Sequence, residues 1–271
     1  MAPAPRLPPG LHFDPGFLRP SERAAIRAWL ATLHPIREQR YPTSRPPPDG
    51  ASQRWLLRPV WWIGGWQFAC LDYYHPPQVR DRVVCAEPMP PVLAGVVARI
   101  TARARAQFRG SDLPSGWQLN TALVNFYGDW VHPDGRRDDS ARVGDHRDYE
   151  PGPVASISLG ERALFQFVSH RRELVKQQWL GDGSLLLFGG GFWKDKVFHR
   201  VQRVEDTGIR FPHPDHGDLR FETRRINLTF RFVPVEHLVR FRDLPPTARA
   251  DVAPYVDALA THSTYWQGER P

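Results

Sequence analysis

The clearest pattern of apolar and polar positions lies near the end of the chain, over residues 225–231. At the two-residue period of a β-strand, one face carries Ile226, Leu228 and Phe230, as a core-facing surface would. The opposite face carries two arginines with two hydrogen-bonding side chains between them: Arg225, Asn227, Thr229 and Arg231. Because arginine forks bind carboxylates and phosphates through paired hydrogen bonds, this face suits a small dianion. A surface strand with a solvated charged face has the same spacing, so the pattern alone leaves both readings open.

Helical spacing appears in the first part of the chain. Apolar residues recur at i, i+3, i+4 and i+7 over residues 26–33 and again over 93–100, which predicts two helices. The polar, proline-rich segment 36–60 between them is expected to form a long surface loop. Residues 61–74 are dense in aromatic side chains. Such a stretch is typical of a buried core edge, but it also suits stacking on flat ligands such as nucleobases.

From residue 118 onward the pattern changes to short strands separated by Gly, Pro and Asp turns. Strands are predicted at 118–127, 154–159, 163–167, 184–188, 196–201 and 225–233. No helices alternate with them, so an antiparallel sandwich or barrel of the α+β class is expected, with the two N-terminal helices buttressing one sheet. We therefore divide the chain into an N-terminal extension (1–117), a core (118–233) and a C-terminal extension (234–271) with one short helix.

Composition narrows the class of protein. The chain has 271 residues and 41% hydrophobic content, and no apolar run approaches the roughly 20 residues that span a bilayer. The start of the chain leads into prolines, so no secretion signal is expected. Cys70 and Cys85 form no CxxC pair, which favours a reduced, cytoplasmic setting. The 36 Lys+Arg against 29 Asp+Glu give a net charge of +7, which favours a polyanionic partner, although arginine-rich composition also follows genomic G+C content.

Two histidines and a carboxylate are candidate metal ligands. His146 and Asp148 are two residues apart, so at a strand end their side chains point the same way, and His199 follows on a later predicted strand. Two histidines and one carboxylate form a facial triad that leaves three positions at Fe(II) for a bidentate ligand and oxygen. A lone HxD is a weak signal, and His146 could be a satisfied core histidine. The HxD, the later histidine and the two-arginine strand in this order are far more specific.

These motifs resemble those of the AlkB-type Fe(II)/2-oxoglutarate dioxygenases. Residues 123–127 resemble the family's L-[IV]-N-x-Y strand, and His146 and Asp148 resemble its HxD. Residues 183–187 lead towards the distal histidine, as in the family. Residues 225–231 match R-x-N-x-T-x-R at every fixed position. The resemblance covers roughly residues 118–233, with a looser likeness in the N-terminal part.

The resemblance implies a double-stranded β-helix, or jelly-roll, and an enzyme that uses Fe(II), 2-oxoglutarate as cosubstrate and O2. By the resemblance, iron is bound by His146, Asp148 and His199. The cosubstrate is held by Asn125, Tyr127, Arg225, Asn227, Thr229 and Arg231. Which arginine takes which carboxylate of 2-oxoglutarate stays open at this point.

The resemblance also implies a substrate, an N-alkylated nucleobase that is oxidatively demethylated. Glu150 matches an acidic position that family members acting on nucleobases often carry near the base. Trp66 and Tyr73, with Tyr74 beside it, resemble the aromatic lid that covers a flipped base. The expected substrate contacts are Trp66, Tyr73, Tyr74, Arg147 and Glu150.

The expected partner is a nucleic acid carrying alkylated bases, with DNA favoured over RNA and DNA repair as the setting. We expect a cytoplasmic monomer with no membrane association. The alternative is a dioxygenase of the same fold that hydroxylates a protein side chain, a lipid or a small molecule. A catalytically inactive nucleic-acid-binding module is disfavoured, because all three metal ligands and both arginines are present. Substrate-dependent formation of succinate separates these three functions.

Overall fold

A computed structural model describes residues 7–71, 83–212 and 220–270 of the chain. Its strands and α-helices within these ranges are, in chain order, β1 (Leu11–Asp14), α1 (Pro20–Leu30), β2 (Val60–Ile63), β3 (Gly65–Trp66), β4 (Val83–Cys85), α2 (Pro91–Gln107), β5 (Thr121–Val131), β6 (Arg137–Asp139), β7 (Val143–His146), β8 (Val154–Gly160), β9 (Ala163–Val168), β10 (Leu174–Leu180), β11 (Leu185–Phe188), β12 (Phe198–Val204), β13 (Arg220–Arg231), β14 (Leu238–Val239), α3 (Pro246–Ala260) and α4 (Thr264–Glu269). None of these helices has the length and apolar composition that crossing a membrane requires.

Two antiparallel sheets form the core of the molecule. The larger sheet has the order β1-β11-β8-β13-β5-β2, with β6 paired to β5, and the smaller sheet has the order β10-β9-β12-β7. Strand β13 lies near the centre of the larger sheet, hydrogen-bonded to β5 on one side and β8 on the other. The mixture of helices with two antiparallel sheets confirms the predicted α+β fold with a jelly-roll core. The short strands β14, β4 and β3 form a third sheet outside it.

The two faces of the larger sheet pack differently. Ile226, Leu228 and Phe230 of β13 belong to a large apolar cluster that also contains buried residues of the four helices. The two N-terminal helices therefore buttress this sheet, as predicted. The opposite face turns towards the smaller sheet, where a second apolar cluster combines Tyr127 of β5 with residues of β9 and β12, among them Phe167. The alternation read from residues 225–231 thus separates a helix-packed face from a face that looks into the sandwich.

The arginines of α2 attach that helix to its neighbours. Arg99 donates to Glu22 of α1 at 2.5 Å, and Arg103 donates to Asp14 of β1 at 2.7 Å. These contacts bring together elements far apart in the sequence. A structural role therefore accounts for both side chains.

Six predicted strands are present, with shifted ends, but several short strands were not predicted. Strands β1 and β2 come from the N-terminal extension and yet pair directly with β11 and β5 of the core. The loop prediction for 36–60 was only partly right. Antiparallel bridges from Ile36 to Val60 and from Gln39 to Trp55 pair the beginning of this segment with its end, so the two arms form a narrow ribbon.

The prediction of one short C-terminal helix was wrong. Helix α3 has 15 residues and is followed by α4, with six. Pro246 begins α3 at a position where the missing N–H is not needed, so the prolines start this helix instead of breaking the segment. Val252, Val256 and Leu259 are buried at helical spacing, and their packing holds the helix through Pro254.

Candidate active site

Three candidate ligands meet on the smaller sheet. His146 at the end of β7 and His199 in β12 are directly opposite one another across the two strands, and Asp148 follows β7 by two residues. One ligand atom from each residue lies within 4.8 Å of the others. The His199 Nε2 atom is 3.3 Å from the Asp148 Oδ2 atom. The sheet register therefore brings together side chains that the sequence separates.

Hydrogen bonding and burial hold His146 in a form suited to metal binding, and ring packing positions His199. The Nδ1 atom of His146 donates to the carbonyl oxygen of Gly144 at 2.8 Å, which leaves Nε2 to face the cluster. Burial, and next the charge of His199, lower the pKa of His146 to about 3, so the ring is neutral at physiological pH. The ring of His199 stacks on Phe165 with the centroids 5.5 Å apart and meets the edge of Phe188 at 5.2 Å.

The carboxylate of Asp148 is kept ionised. Burial by itself would raise its pKa, but the charge of Arg231 and the hydrogen bond from His199 lower the pKa well below the usual range. Two imidazoles and one carboxylate, converging on one point, are the donor set that non-haem Fe(II) oxygenases use. The residues present therefore fit Fe(II).

The candidate cosubstrate residues line the inner face of the larger sheet. Arg225 of β13 is paired with Tyr127 of β5, and Asn227 is paired with Asn125. On the other side, Asn227 is opposite Ser158 of β8. Because paired positions point to the same face of a sheet, these polar groups form one surface across three strands. That surface faces the smaller sheet, which carries the metal ligands.

Arg225 is buried, and two of its guanidinium nitrogens have no hydrogen-bond partner among the described residues. It is 1% exposed, and its Nη2 atom donates to the Ser158 hydroxyl at 2.8 Å. Its guanidinium also lies 4.8 Å over the Tyr127 ring, and burial lowers its pKa while Tyr127 acts in the opposite direction. Its Nε and Nη1 atoms have no hydrogen-bond partner among the described residues. No described carboxylate forms an ion pair with it. Because such burial is costly, the arrangement suits an anionic ligand that accepts from these nitrogens.

The side-chain amides of Asn227 and Asn125 on this surface have different hydrogen-bond partners. The Asn227 amide donates to the Ser156 hydroxyl at 2.7 Å and to the Ile157 carbonyl at 2.9 Å, and its oxygen accepts from Thr229 at 2.7 Å. Asn227 is therefore engaged within the protein and fixes Thr229. Asn125, in contrast, accepts a hydrogen bond through Oδ1, which directs its NH2 group elsewhere.

The donor to Asn125 is Arg58, a residue that sequence analysis missed. The Arg58 Nε atom lies 2.8 Å from the Asn125 Oδ1 atom, and its guanidinium lies 5.0 Å over the ring of Tyr127. Arg225 and Arg58 thus both stack on Tyr127. Arg58 precedes β2 and belongs to no motif, so no signal in the sequence marks it.

Arg231, at the other end of the motif, lies against the metal ligands. Its Nη2 atom is 2.5 Å from the Asp148 Oδ1 atom, and its Nε atom is 3.6 Å from the Glu150 Oε2 atom. The two arginines of one strand therefore serve opposite ends of the site. One is at the metal and the other is beside Tyr127.

A family model described as the 2OG-Fe(II) oxygenase superfamily matches residues 10–231. The chain belongs to this superfamily. The match confirms the predicted family at the level of this superfamily, the prediction of a dioxygenase, and its use of Fe(II), 2-oxoglutarate and O2. No curated protein matches the chain. One solved structure that it resembles is described as "The structure of OsALKBH1", at 22% identity and a TM-score of 0.49, covering 84% of this chain and 100% of that one.

Both halves of the oxygenase site open into one cavity of about 700 Å³. Its wall includes Glu150, which is 8% exposed and accepts a hydrogen bond from the Gln67 side chain at 2.8 Å. The buried Lys194 donates to the backbone carbonyl of Glu150 at 2.9 Å. Gln67 and Lys194 were not predicted, because neither is part of a recognisable motif.

The assignment of Trp66 to the substrate site was wrong. In the oxygenase structure this ring is completely buried, and its Nε1 atom donates to the Glu38 Oε1 atom at 2.9 Å. It packs against Phe68 and Trp266 at centroid distances of 5.1 and 6.1 Å. Because other core side chains cover the Trp66 ring, a substrate base cannot stack on it.

The remaining substrate candidates have different outcomes. Arg147 lines the cavity, and its guanidinium donates to the Asp195 carbonyl at 2.6 Å and lies 4.8 Å over the Phe198 ring. Tyr73 and Tyr74 lie outside the described residues. Arg147 therefore stays a candidate substrate contact, with part of its hydrogen bonding already used inside the protein.

Proposed function

We propose that this oxygenase demethylates N-alkylated nucleobases in nucleic acid. Bound Fe(II), 2-oxoglutarate and O2 supply the oxidising chemistry that converts an N-methyl group to an N-hydroxymethyl group, which releases formaldehyde and the free base. The observation that carries the proposal is the carboxylate of Glu150. It is buried in the wall of a cavity that reaches the candidate metal ligands.

A fixed carboxylate at this place favours an alkylated base for two reasons. Methylation at the ring nitrogen of adenine N1 or cytosine N3 leaves the base cationic, and a buried carboxylate attracts a cation more strongly than one in water does. Arg231 lies 3.6 Å from Glu150 but closer to Asp148, at 2.5 Å, so Glu150 shares this guanidinium with a nearer carboxylate. The same oxygens accept hydrogen bonds from an exocyclic amine. Gln67 and Lys194 hold Glu150 through its side chain and its carbonyl, so the group is preorganised for either interaction.

The arginines would hold 2-oxoglutarate in one direction. Arg231 contacts Asp148, so it is placed to bind the carboxylate of the keto-acid end beside the metal. Arg225, with Tyr127 and the NH2 group of Asn125, is placed to bind the far carboxylate. We therefore assign the far carboxylate to Arg225 and the metal-side carboxylate to Arg231.

The cavity also bears on the form of the nucleic acid. The triad is reached through this cavity, so a target base has to leave its stack before the methyl group approaches the metal. DNA repair and a preference for DNA over RNA remain our predictions. The net charge of +7 supports a polyanionic partner of either kind.

Formaldehyde release tests the proposal. Strands containing 1-methyladenine or 3-methylcytosine should yield formaldehyde, with one succinate formed for each. Glu150→Gln keeps the shape and removes the charge, so it should slow turnover of these cationic bases more than turnover of the neutral 1-methylguanine or 3-methylthymine. No formaldehyde from any of the four bases, in a preparation that decarboxylates 2-oxoglutarate, would instead favour hydroxylation of a protein side chain, lipid or small molecule.

A further inference from the structure

Three exposed apolar side chains lie at the mouth of the oxygenase cavity. Trp55, Leu57 and Tyr149 are 48%, 58% and 47% exposed, and all three line that one cavity. They come from two separate segments of the chain. Large apolar side chains that remain in water and gather at one opening mark a surface that another molecule covers.

The ring of Trp55 is held in place although half of it is in water. The bridge from Gln39 to Trp55 closes the ribbon on which it lies, and the next amide, Leu56 N–H, donates to the Glu38 carbonyl at 2.7 Å. The Arg37 guanidinium stacks between two rings, 5.5 Å from Trp55 and 4.2 Å from Trp130. Its Nε atom also donates to the Leu56 carbonyl at 3.2 Å. Such a preorganised ring loses little conformational freedom when a partner stacks on it.

The charges around this mouth favour an anionic partner. Six arginines line the cavity. Arg58, Arg225 and Arg231 belong to the site described above, and the other three lie outside it: Arg40, Arg54 and Arg147. The acidic groups lining it are either buried, as Glu38, Asp148 and Glu150 are, or paired with arginines. The exposed Asp145 lies 3.3 Å from Arg200 and 3.8 Å from Arg172. The accessible charge at the mouth is therefore predominantly positive.

We propose that Trp55, Leu57 and Tyr149 form a docking surface for a single strand of nucleic acid. Bases that flank the one in the cavity stack on the exposed rings, and the arginines contact the phosphates. Stacking on exposed rings requires unstacked bases, so the surface suits a single strand better than an intact duplex. This inference rests on the proposed function for its substrate class, but the docking surface is tested separately from demethylation.

The test is fluorescence anisotropy with an unmodified, labelled single strand, in the absence of iron and 2-oxoglutarate. Trp55→Ala should raise the Kd at least about five-fold, because the loss of one base–aromatic stack costs about 1 kcal/mol or more. Trp55→Phe should keep most of the affinity. Arg54→Gln should flatten the dependence of log Kd on log salt by about 0.7, the value of one single-strand phosphate contact.

Leu174→Ala is the matched control for Leu57→Ala. Leu174 is 53% exposed on β10 and does not line the cavity, so its loss should leave strand affinity unchanged while Leu57→Ala weakens it. Thermal melting verifies that each variant is folded. Wild-type protein that does not bind the strand, or Trp55→Ala that binds it as tightly as wild type, would overturn the docking surface.

Two further measurements separate the alternatives. An equal Trp55→Ala effect on duplex binding would overturn the preference for a single strand. Anionic lipid vesicles that bind wild type but not Trp55→Ala, with strand affinity unaltered, would assign the surface to a membrane instead. If Trp55→Ala weakens strand binding but wild type releases no formaldehyde from methylated strands, the docking surface stands and the proposed demethylation fails.

Discussion

Arg225 allows the sharpest test of how the cosubstrate is bound. Replacing Arg225 with Met keeps most of the apolar stem but removes the guanidinium that is 1% exposed and stacks over Tyr127. Truncating one partner of a buried, hydrogen-bonded charge pair costs about 2–5 kcal/mol. At 1.4 kcal/mol for each factor of ten, the affinity for 2-oxoglutarate should fall between about 30-fold and several thousand-fold. Arg225→Lys should recover only part of the loss, because an ammonium cannot make the planar fork.

The neighbouring Arg224 provides a matched control. It is also buried in β13, but it does not line the cavity, and it donates to Asp129 at 3.1 Å and to Asp139 at 2.9 Å. Arg224→Met should therefore destabilise the fold by about 3–5 kcal/mol, the cost of breaking a buried ion pair. Its affinity for 2-oxoglutarate should remain that of the wild type while the protein is folded.

Anaerobic calorimetric titration of 2-oxoglutarate into Fe(II)-loaded protein measures this affinity without turnover. The KM for 2-oxoglutarate in uncoupled decarboxylation should rise in parallel. Unchanged binding by Arg225→Met would show that this polar face serves another ligand. An equal loss in Arg225→Met and Arg224→Met would attribute the effect to general damage to the sheet.

Three further predictions concern the metal, the core and pH. His146→Ala and His199→Ala should remain folded but lose bound iron and turnover, and normal decarboxylation by either would refute the ligand assignment. Trp66→Phe should lower the free energy of unfolding by about 1–3 kcal/mol, because the hydrogen bond to Glu38 is lost, and it should not change strand binding. Calorimetry measures the stability and fluorescence anisotropy measures the binding. Weaker strand binding at wild-type stability would contradict the assignment of Trp66 to the core. Burial raises the pKa of Glu38 from 4.5 to about 7. Between pH 4.5 and about pH 7 the folded state therefore retains a proton that the unfolded chain loses, and the free energy of unfolding should fall by about 3 kcal/mol over this range. Denaturation curves of Glu38→Gln should lack that decrease, and an identical pH profile would refute the shift.

The parts of the site that sequence analysis predicted are those whose chemistry permits few residue types. An iron site of this class requires two histidines and a carboxylate, and a dicarboxylate cosubstrate requires cationic donors. Strand periodicity then indicates which side chains share a face. In the structure, the strand register pairs Arg225 with Tyr127 and His199 with His146, as shared faces require.

The unpredicted residues act over long sequence separations. Arg58 reaches Asn125 across 67 positions, Gln67 reaches Glu150 across 83, and Lys194 reaches the Glu150 carbonyl across 44. Nothing local in the sequence distinguishes such side chains from those on the surface. Aromatic residues have the same ambiguity, because Trp66 and Trp55 are 11 positions apart in the sequence, and yet one is completely buried and the other is 48% exposed. Only the packed structure separates a core ring from a ring available to a ligand.

The electrostatic surroundings of Arg225 and Arg231 differ, and this difference suits them to different roles in binding the cosubstrate. Arg231 is close to two carboxylates, Asp148 and Glu150, so its charge is already balanced before a ligand arrives. Arg225 has no described carboxylate in ion-pair contact, and Arg58, a second cation, adds to the effect of burial in lowering its pKa. An incoming carboxylate therefore gains more from Arg225, where it supplies the missing negative charge, than from Arg231. We therefore propose that Arg225 sets the affinity for the cosubstrate and that Arg231 orients its other end at the metal.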